Sequence, residues 1–160
     1  MTLVSLVVQA NAIASVALYL KFFGTVLIQG GTKFSTGSRA PEDSPFGKKG
    51  TSQSFGLKTR VDQDDKKLIE RMEKEMRWNR IVGNDLESLP FGLVTAWSAC
   101  FACYSPVGHA VAVSLYVLSR YSHTLSYSYA KQPHRFLSYA TSAGCIMFMG
   151  FNVLAGAFKL

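Results

Sequence analysis

Three groups of side chains in this sequence have types and spacing suited to holding a charged ligand. Arg80, Asn84 and Glu87 recur at i, i+4 and i+7, so on a helix they share one face. Arg120, His123 and Tyr127 recur at i, i+3 and i+7 and do the same. Arg135 and Tyr139 follow one turn apart. An arginine grips a carboxylate through two parallel N–H donors. A glutamate accepts from an ammonium, and a cation or hydroxyl beside a thiol favours the thiolate. Together these side chains suit a small, charged, amphiphilic ligand. The plainer account of each group is a helix end at a water boundary, where such polar pairs are common and an arginine reaches the headgroups. There is no Ser-His-Asp arrangement and no glycine-rich phosphate loop. His109, His123 and His134 are too dispersed for a metal site. Cys100-Phe-Ala-Cys103 has the CxxC spacing but no third ligand nearby for zinc, and reads as small residues of a membrane helix. Hydrolase, kinase and metal chemistry are not expected.

The elements that must position these groups are set by where the charge lies. The chain has 160 residues, enough for one domain; 48% are hydrophobic and 17% charged. All ten acidic residues and twelve of the seventeen basic ones fall between Lys33 and Glu87. A soluble helical domain would spread its charges over every helix. This layout predicts an all-α integral membrane protein, a single four-span domain over residues 1–160. The spans are expected at about 3–28, 80–104, 107–129 and 135–158, with a polar cytoplasmic loop over about 29–65. Gly30-Gly31 is the expected end of the first helix. Lys21 is the only formal charge in the first span, and it either snorkels to the interface or faces a partner helix. Pro41 to Lys48 reads as turns. Asp62, Asp64 and Asp65 are expected to open an amphipathic helix whose apolar positions include Leu68, Ile69, Met72 and Met76. That helix is expected to run on from about residue 66 into the second span, with Pro90 as a candidate kink. Both basic loops then lie on one side, which the positive-inside rule makes cytoplasmic, with the termini opposite. All three polar groups come out at that cytoplasmic end. The net charge of +7 suits anionic lipid headgroups rather than nucleic acid, since the loop's bases are interleaved with acids and tethered to spans.

Four motifs in order carry a family resemblance. Arg80-x-x-x-Asn84-Asp85-Leu86-Glu87 followed by Pro90-Phe91, Arg120-x-x-His123-Thr124-x-x-Tyr127, Pro133-x-Arg135, and Pro41-Glu42-Asp43 with Phe46-Gly47-Lys48 together resemble the membrane-associated proteins in eicosanoid and glutathione metabolism, the MAPEG family. The pattern is most similar to the microsomal glutathione transferase 1 branch, with the microsomal prostaglandin E synthase as near relative. The resemblance implies a four-helix membrane bundle assembled as a homotrimer, with glutathione as co-substrate between neighbouring subunits. It implies that Arg80, Asn84, Glu87, Arg120, His123, Tyr127 and Tyr139 line the glutathione site, with Lys33 as a basic residue at the end of the first helix. Arg135 would be the catalytic, thiolate-stabilising arginine. The implied activity is glutathione transfer to a lipophilic electrophile, with reduction of lipid hydroperoxides beside it. The alternatives are a glutathione-dependent prostaglandin-type isomerase and a lipid-binding adaptor without turnover. The implied location is the endoplasmic reticulum membrane with the site facing the cytosol, or else the mitochondrial outer membrane. The chain departs from the family at several points. Val82 and Gly83 stand where a basic cluster usually precedes the asparagine. Phe136 follows Arg135 where the prostaglandin synthase has a serine, and Ser44 stands where the transferases often have a cysteine. The Glu87–Pro90 and Tyr127–Pro133 spacings are each one residue shorter than usual.

Overall fold

The structure, a computed structural model, describes residues 3–47, 52–57 and 66–158. Four α-helices and one short 3-10 helix make up its regular structure: α1 over Leu3–Thr36, the 3-10 turn over Pro41–Phe46, α2 over Lys66–Ser98, α3 over Pro106–Ser128 and α4 over His134–Phe158. The acids at 62, 64 and 65, expected to open α2, lie outside the described residues, as do Lys48, Lys58 and Lys159. The helices divide into two compact units, one of residues up to Phe22 together with residues from Asn84 onward, the other of Phe23–Gly83.

The first unit holds segments of all four helices around Ala14, Leu18, Leu89, Ala96, Ala112, Val113, Tyr116, Cys145 and Met149. Three features of the sequence allow this packing. Gly92 has no Cβ where one would fall on the Tyr116 ring, so α2 and α3 approach closely. Tyr116 then donates its hydroxyl to the Ser88 carbonyl at 3.0 Å. Ser105 caps α3 by accepting from the Gly108 N–H, with Pro106 opening the helix. Ser122 and Ser138 meet at 2.8 Å and tie α3 to α4.

Polar and apolar residues are distributed inside out. Asn11, Lys21, Asp85, His109, Arg120, His123, Ser142 and Asn152 are buried, while Ile13, Leu20, Leu118, Phe136, Phe148 and Phe151 are exposed. Among the described residues two helices are long and apolar enough to cross a membrane, Leu6–Thr36 within α1 and His134–Phe158. Only 28% and 22% of their most apolar windows is buried, so these are not core helices of a water-soluble protein: their apolar surface faces outward, as lipid contact requires.

In the second unit α1 continues past Gly30-Gly31, where it was expected to stop, to Thr36. Side chains support the extension. Thr32 donates to the Gln29 carbonyl at 2.7 Å, and Gln29 donates to Asn79 of α2 at 2.9 Å. The actual stop is Gly37, at φ 77°, beyond which the Ser38 N–H returns to the Lys33 carbonyl at 3.0 Å. Buried Glu75 of α2 receives the Thr36 hydroxyl at 2.5 Å and the Ser38 hydroxyl at 2.9 Å. The loop beyond is folded on itself: Gln53 donates to the Phe34 carbonyl at 3.1 Å and accepts from the Arg39 N–H at 3.2 Å. Arg39 bonds Asp43 at 2.7 Å and lies over the Phe34 ring. The stretch read as turns contains a 3-10 helix.

Candidate functional site

The first unit carries its polar chemistry on facing sides of α1, α2, α3 and the start of α4. At its centre is Asp85, fully buried, a residue the spacing argument passed over in favour of Asn84 and Glu87. Lys21 of α1 donates to both oxygens of Asp85 at 2.5 Å, and Arg120 Nη2 of α3 donates to its Oδ1 at 2.5 Å. All three side chains are essentially inaccessible. Of the two accounts open for Lys21, the structure shows the inward one. A carboxylate is required here because an unpaired ammonium or guanidinium at this depth costs several kcal/mol. The sequence carried a signal for this pair: Lys21 is the lone charge in its span, and Asp85 is a carboxylate in the opposing apolar helix. It was missed because Asp85 is one residue, about 100° of helix, from the Asn84 side chain.

Two basic groups share this single carboxylate, and Arg120 has donors to spare. Its Nε and Nη1 are buried without a partner among the described residues, as are Asn84 Oδ1, His123 Nδ1 and Thr124 Oγ1. These five lie at Asn84 of α2 and at residues 120–124 of α3, while a sixth such atom, His109 Nδ1, lies about three turns away along α3. Native structures rarely leave so many buried polar atoms unmatched, so such a concentration marks a place for a polar ligand or ordered water. One turn further along α3, His123 and Tyr127 are in ring contact at 5.8 Å between centroids. The Arg135 guanidinium lies over the Tyr127 ring, 4.7 Å from its centroid. With the Gln132 amide turned so that its oxygen faces the guanidinium, that oxygen accepts from Arg135 Nε at 3.1 Å and Nη2 at 2.5 Å. Arg135 is therefore braced on two sides and remains half-exposed.

The expected residues thus separate into three sets. Arg120 belongs to the buried ion cluster, and His123, one turn on, begins a run of contacts through Tyr127 to Arg135, with half-buried Asn84 beside Asp85 in sequence. Glu87 and Tyr139 belong to the same unit but are exposed. Lys33, half-buried, and Arg80, exposed, belong to the second unit. Asp85 also borders an apolar cleft of about 210 Å³ lined by Leu18, Tyr19, Phe22, Leu89 and Pro90.

Compared with curated proteins one by one, the chain matches none. The MAPEG family model matches it over residues 11–155, which takes in α2 and α3, most of α1 and α4, and Lys21, Asp85 and Arg120 of the buried cluster. The chain therefore belongs to the MAPEG family, membrane proteins of glutathione-dependent lipid metabolism.

Proposed function

We propose that this protein is a membrane-bound glutathione transferase that ionises glutathione and joins its sulfur to a lipophilic electrophile arriving from the bilayer. The observation that carries the reading is the set of unmatched buried polar atoms around Arg120. Glutathione is a peptide with two carboxylates, an ammonium and a thiol. Arg120 Nε and Nη1 suit one of its carboxylates. The Asn84 carbonyl suits a donor such as its ammonium or an amide N–H. Arg135 is the cation that would favour the thiolate. In the reaction the thiol proton leaves to water, the sulfur forms a bond to the electrophilic carbon, and a leaving group departs or an activated double bond takes up a proton. The apolar cleft beside Asp85 suits a lipophilic second substrate. The same thiolate would reduce a lipid hydroperoxide, two glutathiones giving one disulfide, the alcohol and water.

The finer assignment is to the microsomal glutathione transferase 1 branch, as a homotrimer of four-span chains in the endoplasmic reticulum membrane, with the basic loops and the site on the cytosolic side. Arg80, Glu87 and Tyr139 are exposed in the single chain, as residues shared with a neighbouring copy would have to be. Lys33 completes the proposed set. Phe136 after Arg135 favours transfer over prostaglandin-type isomerisation.

The test is thiolate formation. Detergent-purified protein is mixed with glutathione and the ultraviolet absorbance of the thiolate is followed. A signal at neutral pH that is lost in Arg135→Ala, with unchanged oligomeric mass, is expected. Absence of the signal in the wild type would overturn the transferase reading in favour of a lipid-binding protein. Isomerisation of a cyclic endoperoxide without net glutathione consumption would favour the isomerase.

A further inference from the structure

The CxxC sequence is not in a helix. Helix α2 ends at Ser98, and Cys100 and Cys103 lie in the connection to α3, roughly 20 Å along the helix axis from Asp85 at 1.5 Å per residue. Both thiols are free and half-buried, and both line one cavity of about 340 Å³ together with Val7, Phe101, Tyr104 and Pro106. Each sulfur faces a side-chain amide. Asn11 Nδ2 points at Cys100 Sγ at 3.7 Å and donates to the Ala96 carbonyl at 2.8 Å, while its oxygen is held by His109 Nε2 at 3.0 Å. Asn152 Nδ2 donates to Cys103 Sγ at 3.3 Å and to the Ser105 carbonyl at 3.2 Å, and its oxygen accepts from the Ser105 N–H at 2.8 Å. A Cβ at Gly156 would sit 2.6 Å from the Cys103 backbone nitrogen, so α4 lies directly against this loop. Two buried asparagines from two helices thus hold a pair of thiols at the wall of an open cavity. Small apolar residues of a membrane helix would need no such support.

We propose that Cys100 and Cys103 form a dithiol–disulfide centre that reacts with small aliphatic disulfides of the glutathione-disulfide class. Two intervening residues allow the Cα separation of about 4.4–6.8 Å that a disulfide spans. One cysteine, as thiolate, attacks a sulfur of the disulfide RSSR. A protein–S–S–R bond forms and RS⁻ leaves. The second thiol gives its proton to water and attacks the protein sulfur of that mixed disulfide, closing the Cys100–Cys103 bond and expelling the second RS⁻. The protein loses two electrons and two protons, and RSSR becomes two RSH. The amide N–H donors stabilise negative charge on each sulfur as it attacks or leaves.

The experiment counts alkylatable thiols in the whole detergent-solubilised protein after incubation with oxidised glutathione, by denaturing alkylation and intact mass. The count depends on neither transferase activity nor glutathione binding at Arg120, so failure here and failure of the transferase reading are told apart. Wild type has three cysteines and is expected to fall to one reactive thiol with no adduct and no cross-linked dimer on a non-reducing gel. Cys145→Ser is expected to fall from two to none. Cys100→Ser and Cys103→Ser are each expected to stop at a single glutathione adduct that dithiothreitol removes. Retention of all three thiols, accumulation of stable adducts on the wild type, or loss of the internal disulfide in Cys145→Ser would each overturn the proposal.

Discussion

Replacing Asp85 by asparagine would leave the Lys21 ammonium and the Arg120 guanidinium facing each other across an amide. Truncating one member of a buried ion cluster costs about 3–5 kcal/mol, because the remaining charges stay buried. Asp85→Asn is therefore expected to lower the melting temperature in detergent by many degrees, and a melting temperature within experimental error of the wild type would remove Asp85 from its central role. Tyr127 offers a finer test. Its ring lies under Arg135, and a cation–π contact is worth about 0.5–2 kcal/mol. Tyr127→Phe keeps that face and is expected to retain most of the glutathione thiolate signal, whereas Tyr127→Leu is expected to weaken it severalfold. Equal loss in both would assign the effect to the hydroxyl. At this scale the contact of His123 with Tyr127 was legible, because two residues on one helix face are readable from spacing. Asp85 was not, because its partners come from helices far away in sequence and their pairing leaves no periodic trace.

Helix ends are where spacing and structure differ most. Gly30-Gly31 has the look of a stop, yet α1 runs through it because Gln29, Thr32 and Thr36 make hydrogen bonds there, two of them to α2. A glycine inside a helix costs about 1 kcal/mol relative to alanine, which a few such bonds offset. Gly37 is the residue that must be glycine, since its φ of 77° is open to it and strained for others. Gly37→Ala is expected to destabilise the end of α1 by about 1 kcal/mol, seen as faster amide exchange over residues 30–37, and Gly31→Ala, whose Cβ has open space, is expected to slow exchange there. Gly92→Ala is a packing test within the first unit. Its methyl group would collide with Tyr116, and overpacking of this kind costs about 1–3 kcal/mol. A fully wild-type unfolding curve would mean that Tyr116 has more room than its bond to Ser88 implies.

For the whole molecule, the layout of charge alone pointed to a membrane protein, because all the acidic and most of the basic residues fall in about one third of the chain. It could not announce which polar residues turn inward, since a lipid-facing and a core-facing position look alike in a uniformly apolar helix. The proposed orientation is testable at Ser52, which is exposed in the basic loop. In a chain whose three native cysteines are serines, Ser52→Cys is expected to react with a membrane-impermeant maleimide in sealed microsomes without permeabilisation. Labelling only after detergent would reverse the orientation and put the Arg120 cluster on the lumenal side.

Among the described residues, two basic side chains in this interior share one carboxylate. Under the proposed function, bound glutathione would supply a further countercharge there. Occupancy at 100 times the dissociation constant would add about 2.7 kcal/mol to the bundle's stability. The empty form is then the fragile one, and in a cell the supply of an anionic peptide would govern how long each copy of this protein survives as well as how fast it works. Purified with glutathione in every buffer, the protein should outlast the same preparation washed free of it.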